Sequence, residues 1–589
     1  MRIRRFFGQL VTPIAKEPVF WWAAILLMSG PGLLWYVTVS GLPPLRLAAL
    51  LIFTTMFPAL LAYLLVLVLN ASGKARNAAK TTVYAALLLL FAVNVFLVLN
   101  VQTMLSPWTL LLVCETNSRE ATEFLGDYLL RKESIITYAA VFCIVFLIWI
   151  LERRRSVSRR PSPKANVRAG AALVPWLAGG AYQALIMAQL LACGSQAETE
   201  KWFEVGKGFY CTQNTVSNAL YSSTHLYYTR KVNSIALKAS MEALNKTALA
   251  EANDSLCVVL VIGESYNKHH ASLYGYEMKT TPCMEREQES GRLYAFTDVV
   301  TPYNMTTLAV KNMLSTNSLS LGEYWYDFPL LPVIFRQAGY SVDMWDNQKA
   351  TGGVSMHDFS LSSFLHSTQM TAISYSRWND TVNDYDMVFI DSCLRVGDQV
   401  PGPCLTIFHL NGQHAMAKWR YPDSESLFSA EEIHRPDLSP EEQQAVAEYD
   451  NATHYNDKVI GRIMEHFNGR NAVMVYLSDH GEEVYDYRHR LGRTHEREKG
   501  RDALRFQYEV PFVIWCSDSY SNSHQQTVAQ IGASTGKPFM TDNLPHLLFA
   551  LANIQTPYYR AEKNPLSDRY RCGSRTVQDT TDYDKTITD

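Results

Sequence analysis

Two short stretches of the chain carry side chains of the kinds that bind metals. The apolar run LCVVLVI, residues 256–262, leads straight into Gly263, Glu264 and Ser265, and the run VMVYL, residues 473–477, leads into Ser478, Asp479, His480, Gly481, Glu482 and Glu483. Runs this short, continuous and β-branched predict buried strands, and in sheets of such strands the ligand site lies beyond the carboxyl ends. If the two strands are neighbours, a glutamate, an aspartate and a histidine converge on one point. Two carboxylates and an imidazole with a fourth position left open suit a catalytic Zn2+ or Mn2+. The glycines fit turns where backbone must come close. Either motif alone reads equally well as a polar loop end; both together at strand ends favour a metal site. For Glu482 and Glu483, support behind the ligands and a solvated loop fit equally.

A metal with an open position needs a nucleophile. In DVVTPYNMTTLAVKNML, residues 298–314, Thr306 and Thr307 fall where an apolar helix begins. A hydroxyl there would sit beside free backbone N–H groups and the positive end of the helix, where phosphate binds. Coordination to a metal would make it an attacking alkoxide. The plainer role of a threonine at a helix start is the N-cap, and the residues themselves leave both roles open.

Further strand-like runs, LTIFHL (405–410) and EVPFVIWC (509–516), with helical and loop stretches between them, predict an α/β domain from residue 254 onward. The whole chain, 589 residues with 48% hydrophobic and 19% charged, averages two unlike parts: long apolar runs dominate 1–193, and 194–589 has an ordinary globular composition. A net charge of -3 gives no electrostatic reason to expect nucleic acid as a partner.

Five apolar stretches, about 20–40, 46–69, 82–101, 134–151 and 171–193, each reach the ~20 residues that cross a bilayer. Basic residues precede the first (Arg2, Arg4, Arg5), separate the second from the third (Lys74, Arg76, Lys80) and separate the fourth from the fifth (Arg153, Arg154, Arg155, Arg159, Arg160, Lys164, Arg168). All three groups then belong in the cytoplasm. Five crossings leave everything after residue 193 outside, which is the periplasm if the cell is Gram-negative. In the outer loop 102–133, Thr116, Asn117 and Glu120 lie close to the membrane surface, as a solvated interfacial helix or as a lipid headgroup contact. The expected organisation is a transmembrane part over 1–193, a membrane-proximal helical connector over 194–253, a catalytic domain over 254–572, and a tail, 573–589, with too few apolar residues to fold.

The motifs VIGES, YNMTTLAV, HLNGQH and SDHGEE, in this order and after five apolar stretches, resemble the membrane-bound phosphoethanolamine transferases of Gram-negative bacteria, within the alkaline phosphatase/sulfatase superfamily. The resemblance covers nearly the whole chain. It implies a five-helix transmembrane domain followed by a soluble α/β alkaline-phosphatase/sulfatase-like domain. DNQ at 346–348 and DHGEEVYD bring the chain nearer the enzymes that decorate lipopolysaccharide core sugars than the lipid A, colistin-resistance type. Carried across residue by residue, the resemblance implies that Glu264, Asp479 and His480 bind zinc, with room for a second ion. Thr306, favoured over Thr307 by its offsets from Asp298 and Met313, is then fourth ligand and nucleophile. His414 matches a histidine that contacts the phosphoryl group, with His409 a weaker candidate. His495 in GRTHE matches a further site histidine, with His489 as the alternative, and Thr116 and Glu120 match substrate contacts near the membrane. The implied reaction takes phosphoethanolamine from phosphatidylethanolamine onto the threonine and then onto lipopolysaccharide, in a monomeric, multi-pass protein of the bacterial inner membrane.

The chain departs from the lipid A-modifying pattern at several places. Pro302 and Asn312 stand where those enzymes have a cysteine pair flanking the nucleophile, their active-site lysine aligns near Gly352 with Lys349 the nearest substitute, and Leu112 replaces an asparagine. Among ten cysteines, Cys393 and Cys404 are the pair expected to bridge, and Cys257 and Cys516 are expected to be buried thiols. A formylglycine-dependent sulfatase would need Cys-x-Pro-x-Arg, which the chain lacks. A glycerol-phosphate transferase of the lipoteichoic acid synthase type would share the spans, the threonine and the metal. A non-enzymatic envelope scaffold would have no use for Glu264, Thr306, Asp479 and His480 together.

Overall fold

A computed structural model describes residues 11–38, 44–101, 103–107, 109–111, 132–154, 163–203, 213–246, 248–250, 255–349, 359–397, 402–414, 417–493 and 500–588. The chain divides into two compact units, Met1–Lys231 with Gly352–Phe359, and Val232–Thr351 with Ser360–Asp589.

The first unit contains α1 (Pro18–Thr38), α2 (Pro44–Ala71), α3 (Arg76–Val101), α4 (Lys132–Arg154) and α5 (Pro163–Ala192). Among the described residues four helical segments are long and apolar enough to cross a membrane: Pro18–Thr38, Ile52–Ala71, Gly73–Asn100 and Lys132–Arg154. The fifth apolar stretch is helical as well, but Tyr182, Gln183 and Gln189 dilute α5 and it is not one of the four. Its small and polar residues serve packing. A Cβ on Gly179 or Gly180 would strike Met56 of α2, so the glycines allow the two helices to approach closely. Gln183 then enters the hydrogen-bond ladder of α2 beside Pro58, accepting from Phe57 N at 3.0 Å and donating to Phe53 O at 3.0 Å. Proline leaves Thr54 O without its helical donor, and Ser29 Oγ of α1 supplies one at 3.4 Å. Lys80 of α3 pairs with Glu17, just ahead of α1, at 3.0 Å and with Glu152 of α4 at 2.5 Å. The starts of α1 and α3 and the end of α4, with Arg153 and Arg154, therefore lie at one end of this unit, as one-sided basic clusters require. Thr116 and Glu120 lie outside the described residues.

The second unit begins within α6 (Thr215–Ala243) and is built on β1 (Leu256–Gly263), β2 (Leu293–Ala295), α7 (Thr306–Leu314), β3 (Ser341–Asp346), β4 (Arg377–Trp378), α8 (Asp386–Gly397), β5 (Cys404–His409), α9 (Pro440–Phe467), β6 (Asn471–Ser478), α10 (Arg501–Tyr508), β7 (Phe512–Cys516), β8 (Thr576–Val577), β9 (Thr581–Asp582) and α11 (Tyr583–Thr588). Seven strands form one sheet in the order β2-β7-β6-β1-β5-β3-β4. Every residue of β1 is buried: Val258, Leu260 and Ile262 enter one core with Val473, Val475 and Leu477 of β6, while Cys257, Val259 and Val261 enter the other with Met474 and Tyr476. Cover on both faces is why these strands read as continuous apolar runs rather than alternating ones. On the second face lies α9, opened by a capping box between Ser439 and Glu442 with Pro440 in its first turn.

Neighbours in the sheet run parallel except those involving β7, which pairs antiparallel with both β6 and β2. The chain has already returned to the carboxyl end of β6 through α10, whose Gln507 O accepts from Gly481 N at 3.0 Å, and β7 runs back from there. Two expectations are corrected. Cys393 and Cys404 are free thiols: Cys404 opens β5 in register with Cys257 of β1, and Cys393 sits in α8. Cys257 and Cys516 are buried free thiols, as expected. The tail, expected over 573–589 to remain unfolded, forms the β8–β9 hairpin and α11 within its described residues, 573–588. Few apolar residues suffice because Val577 and Tyr583 close a small core with Val300, Leu504 and Tyr508, and Arg575 is held between Asp298 and Asp584.

Candidate active site

Gly263 and Ser478 are register partners at the ends of β1 and β6, and Asp479 N extends the ladder to Gly263 O at 3.0 Å. Glu264 and the Asp479–His480 pair therefore emerge side by side, with no side-chain exposure, and form a group able to hold a metal ion. Ser265 turns the chain away from the site at φ +55, which points its N–H at Asp479 Oδ1, 3.1 Å away. Close approach explains the glycine of HLNGQH. Gly412 has φ +48, and a Cβ there would stand 2.8 Å from both N and O of Glu264.

Thr306 is the first residue of α7 and Met305 occupies the cap position, so the hydroxyl of Thr306 is not spent on capping. It lies 2.9 Å from Glu264 Oε2 and 3.3 Å from His480 Nε2. The start of α7 thus places a hydroxyl that is free of the cap position on the carboxylate–imidazole cluster.

The donor set fits a divalent cation. His480 Nδ1 lies 2.8 Å from Gly481 O, an arrangement that puts the proton on Nδ1 and leaves a lone pair on Nε2. Asp479 Oδ2 is buried without a hydrogen-bond donor. Burial opposes charge on Glu264, but His480, His414 and Arg493 outweigh it and hold the carboxyl well below its usual range. Asp479 goes the other way: burial and the Glu264 charge beside it push its carboxyl well above the usual range. Burial and Arg493 together depress the His480 imidazole. Two adjacent buried carboxylates ionise together only with a compensating cation. Glu264, Asp479, His480 and Thr306 would hold it.

The remaining expected residues divide. His414 is half-buried, its N–H donates to Asn411 O at 3.1 Å, and its charge acts on Glu264. His409 is turned to Asp346, 2.9 Å from its Nδ1. Lys349 donates to Asn379 O at 2.9 Å, away from the cluster. His489 is 65% exposed at its side chain and lies 3.5 Å from Glu442; His495 lies outside the described residues. Glu482 and Glu483 are buried rather than solvated. Burial pushes each up to about 7, and Glu482 Oε2 lies 3.4 Å from Arg493 Nε.

Two site residues escape the sequence reading. Gln348 Nε2 donates to Glu264 Oε2 at 3.1 Å and to Leu410 O at 2.7 Å; its signal was DNQ at the carboxyl end of β3. Arg493 Nη1 lies 2.7 Å from His480 Nε2 and donates to Asn304 O at 2.7 Å. It sits on a loop without a strand or helix pattern, so nothing in the sequence distinguished it from its neighbours.

Residues 257–554, half of the chain, match the sulfatase family model, and the chain belongs to that family. Its relatives are phosphoethanolamine transferases. Phosphoethanolamine transferase EptC of Escherichia coli (strain K12) is 25% identical over 483 residues, 80% of this chain and 79% of that protein. Phosphoethanolamine transferase CptA of Salmonella typhimurium is 26% identical over 328 residues, 54% of this chain and 55% of that protein. The crystal structure of the C-terminal periplasmic domain of EcEptC from Escherichia coli covers 58% of this chain and 96% of its own, at 26% identity and a TM-score of 0.50, and a complex of that domain with Zn has the same match.

Proposed function

We propose that the protein transfers phosphoethanolamine from phosphatidylethanolamine to lipopolysaccharide, on a core sugar or lipid A, through a phosphoethanolamine-threonine intermediate on Thr306. The observation that carries this reading is the Thr306 hydroxyl, 2.9 Å from Glu264 Oε2 at the mouth of a buried Glu–Asp–His cluster. The names of the relatives and the zinc complex of the E. coli domain support it. Glu264, Asp479, His480 and Thr306 are the proposed zinc ligands. Bound there, zinc supplies charge stabilisation at the phosphoryl oxygens and favours the deprotonated threonine hydroxyl.

This chain's residues do the rest. Thr306 Oγ1 attacks phosphorus in line, an O–P bond forms, and the P–O bond to diacylglycerol breaks, its oxygen taking up a proton. Peptide N–H groups at the start of α7 lie beside the phosphoryl group where negative charge accumulates. In the second half an acceptor oxygen attacks phosphorus and gives its proton to a histidine, His414 being the described candidate and His495 the other. Thr306 Oγ1 leaves as it entered. Donor and acceptor both reside in bilayers, and the first unit would supply the anchor; with α5 counted as a fifth crossing, the second unit would lie in the periplasm. Thr116 and Glu120 remain proposed contacts for a lipid headgroup. Mass spectrometry of lipid A and core from cells with and without the gene tests the reading, because it names the acceptor together with the reaction. An unchanged lipopolysaccharide profile in both would overturn it.

A further inference from the structure

The loop that delivers Thr306 is held from an unexpected direction, the extreme carboxyl end of the chain. Gln578, 4% exposed, donates from its backbone N–H to Pro302 O at 3.0 Å and from Nε2 to Asn304 Oδ1 at 2.7 Å. The same Nε2 lies 2.8 Å from Tyr508 Oη. Asp579 Oδ1 accepts from Tyr303 Oη at 2.5 Å. Each residue from Pro302 to Asn304 thus has a bond to the strap.

Asn304 is the hub. Its Nδ2 donates to Gln507 Oε1 of α10 at 2.9 Å, and its carbonyl accepts from Arg493 Nη1 at 2.7 Å, the same atom that lies 2.7 Å from His480 Nε2. Two residues on stands Thr306. The turn that presents Gln578 is held against its local preference: Gln578 at φ +49 and Asp579 at φ +61 are consecutive non-glycine residues in the left-handed region. Such a conformation persists where the surroundings over-determine it, and here they do so by aiming the Gln578 amide at the nucleophile loop.

We propose that the C-terminal hairpin is a positioning device of the active site, with Gln578 as the positioning residue that fixes Asn304 and so aims both Thr306 and Arg493. The proposal rests on Thr306 being the nucleophile. A misplacement of about 1 Å from a change far from the chemistry can cost roughly 100-fold in rate, which sets the scale expected for loss of the Gln578 amide.

The test uses the full-length protein in proteoliposomes of phosphatidylethanolamine with lipopolysaccharide as acceptor, following diacylglycerol release. Gln578→Ala is compared with Ile531→Val, a change in a buried residue of the main core that lowers stability without touching the loop. At temperatures where both variants are fully folded by circular dichroism, Gln578→Ala lowers kcat roughly 10–100-fold with KM changed less than about twofold, while Ile531→Val keeps the wild-type kcat. Equal kcat in the two variants, or a loss in Gln578→Ala confined to KM, overturns the proposal. Thr306→Ala is run alongside: if it still turns over, the nucleophile assignment itself has failed, whereas an inactive Thr306→Ala beside an unimpaired Gln578→Ala removes the positioning role alone.

Discussion

Gly412 and Glu264 are packed so that a β-carbon on the first would stand 2.8 Å from the backbone of the second, and Gly412 holds φ +48, where side chains are disfavoured. Gly412→Ala therefore meets both strain and a clash with the residue that carries the central carboxylate. The substitution is expected to cost ~1–3 kcal/mol of stability and to lower turnover at temperatures where the variant is folded. Thermal unfolding followed by circular dichroism, with diacylglycerol release as the activity readout, checks both.

Glu264→Gln keeps the shape of the side chain and removes its charge, leaving Asp479 and His480 as the remaining proposed ligands in the buried cluster. Metal affinity is expected to fall by at least the roughly 10–100-fold that loss of an outer-shell partner costs. Zinc content after dialysis against a competing chelator measures it. A variant retaining the wild-type zinc content would exclude Glu264 as a ligand.

Zinc removal has a pH signature. Without a cation, burial and the Glu264 charge raise the Asp479 carboxyl well above its usual range and so favour its protonated form, whereas a metal ligand must be ionised. Loading zinc into the stripped protein is therefore expected to release protons, and affinity rises with pH. Calorimetric titration in two buffers of different ionisation enthalpy, repeated across pH, reads the number released; a number that does not rise as pH falls contradicts Asp479 as a ligand.

The polar cluster behind the site gives a separate stability prediction. Burial disfavours charge on His270, but Asp486 and Asp450, with Asp450 Oδ1 2.7 Å from its Nδ1, outweigh it and push the imidazole up to about 10. The folded value lies above the ordinary one, so the contribution is fully present below about pH 6.5 and is lost as pH rises toward 10. The melting temperature is expected to fall across that window, and His270→Gln flattens the fall. A slope unchanged in His270→Gln would place the titration elsewhere.

The Glu264–Asp479–His480 cluster was legible because its three residues follow apolar runs that become neighbouring strands, and a one-residue offset at the register partners Gly263 and Ser478 brings them together. Thr306 was legible as a helix start, but that Met305 rather than Thr306 takes the cap position was not. Arg493 and Gln578 carried no comparable signal: each acts from a loop or turn whose course is set by tertiary contacts. Composition misjudged the tail, because Val577 and Tyr583 were enough to seat it. The cysteines were misread because spacing along the chain says nothing of register, which sets Cys404 opposite Cys257. In α5 the polar residues that lower its hydropathy are the ones that hold it to α2.

In the proposed reaction Thr306 carries phosphoethanolamine in turn from donor to acceptor. Purified protein incubated with phosphatidylethanolamine and no acceptor, quenched in acid, digested and analysed by mass spectrometry, is expected to carry one phosphoethanolamine on the peptide containing Thr306, and the adduct is expected to disappear when lipopolysaccharide is added. Absence of the adduct in Thr306→Ala, with loss of turnover, completes the prediction. An adduct on another residue, or undiminished transfer by Thr306→Ala, contradicts it.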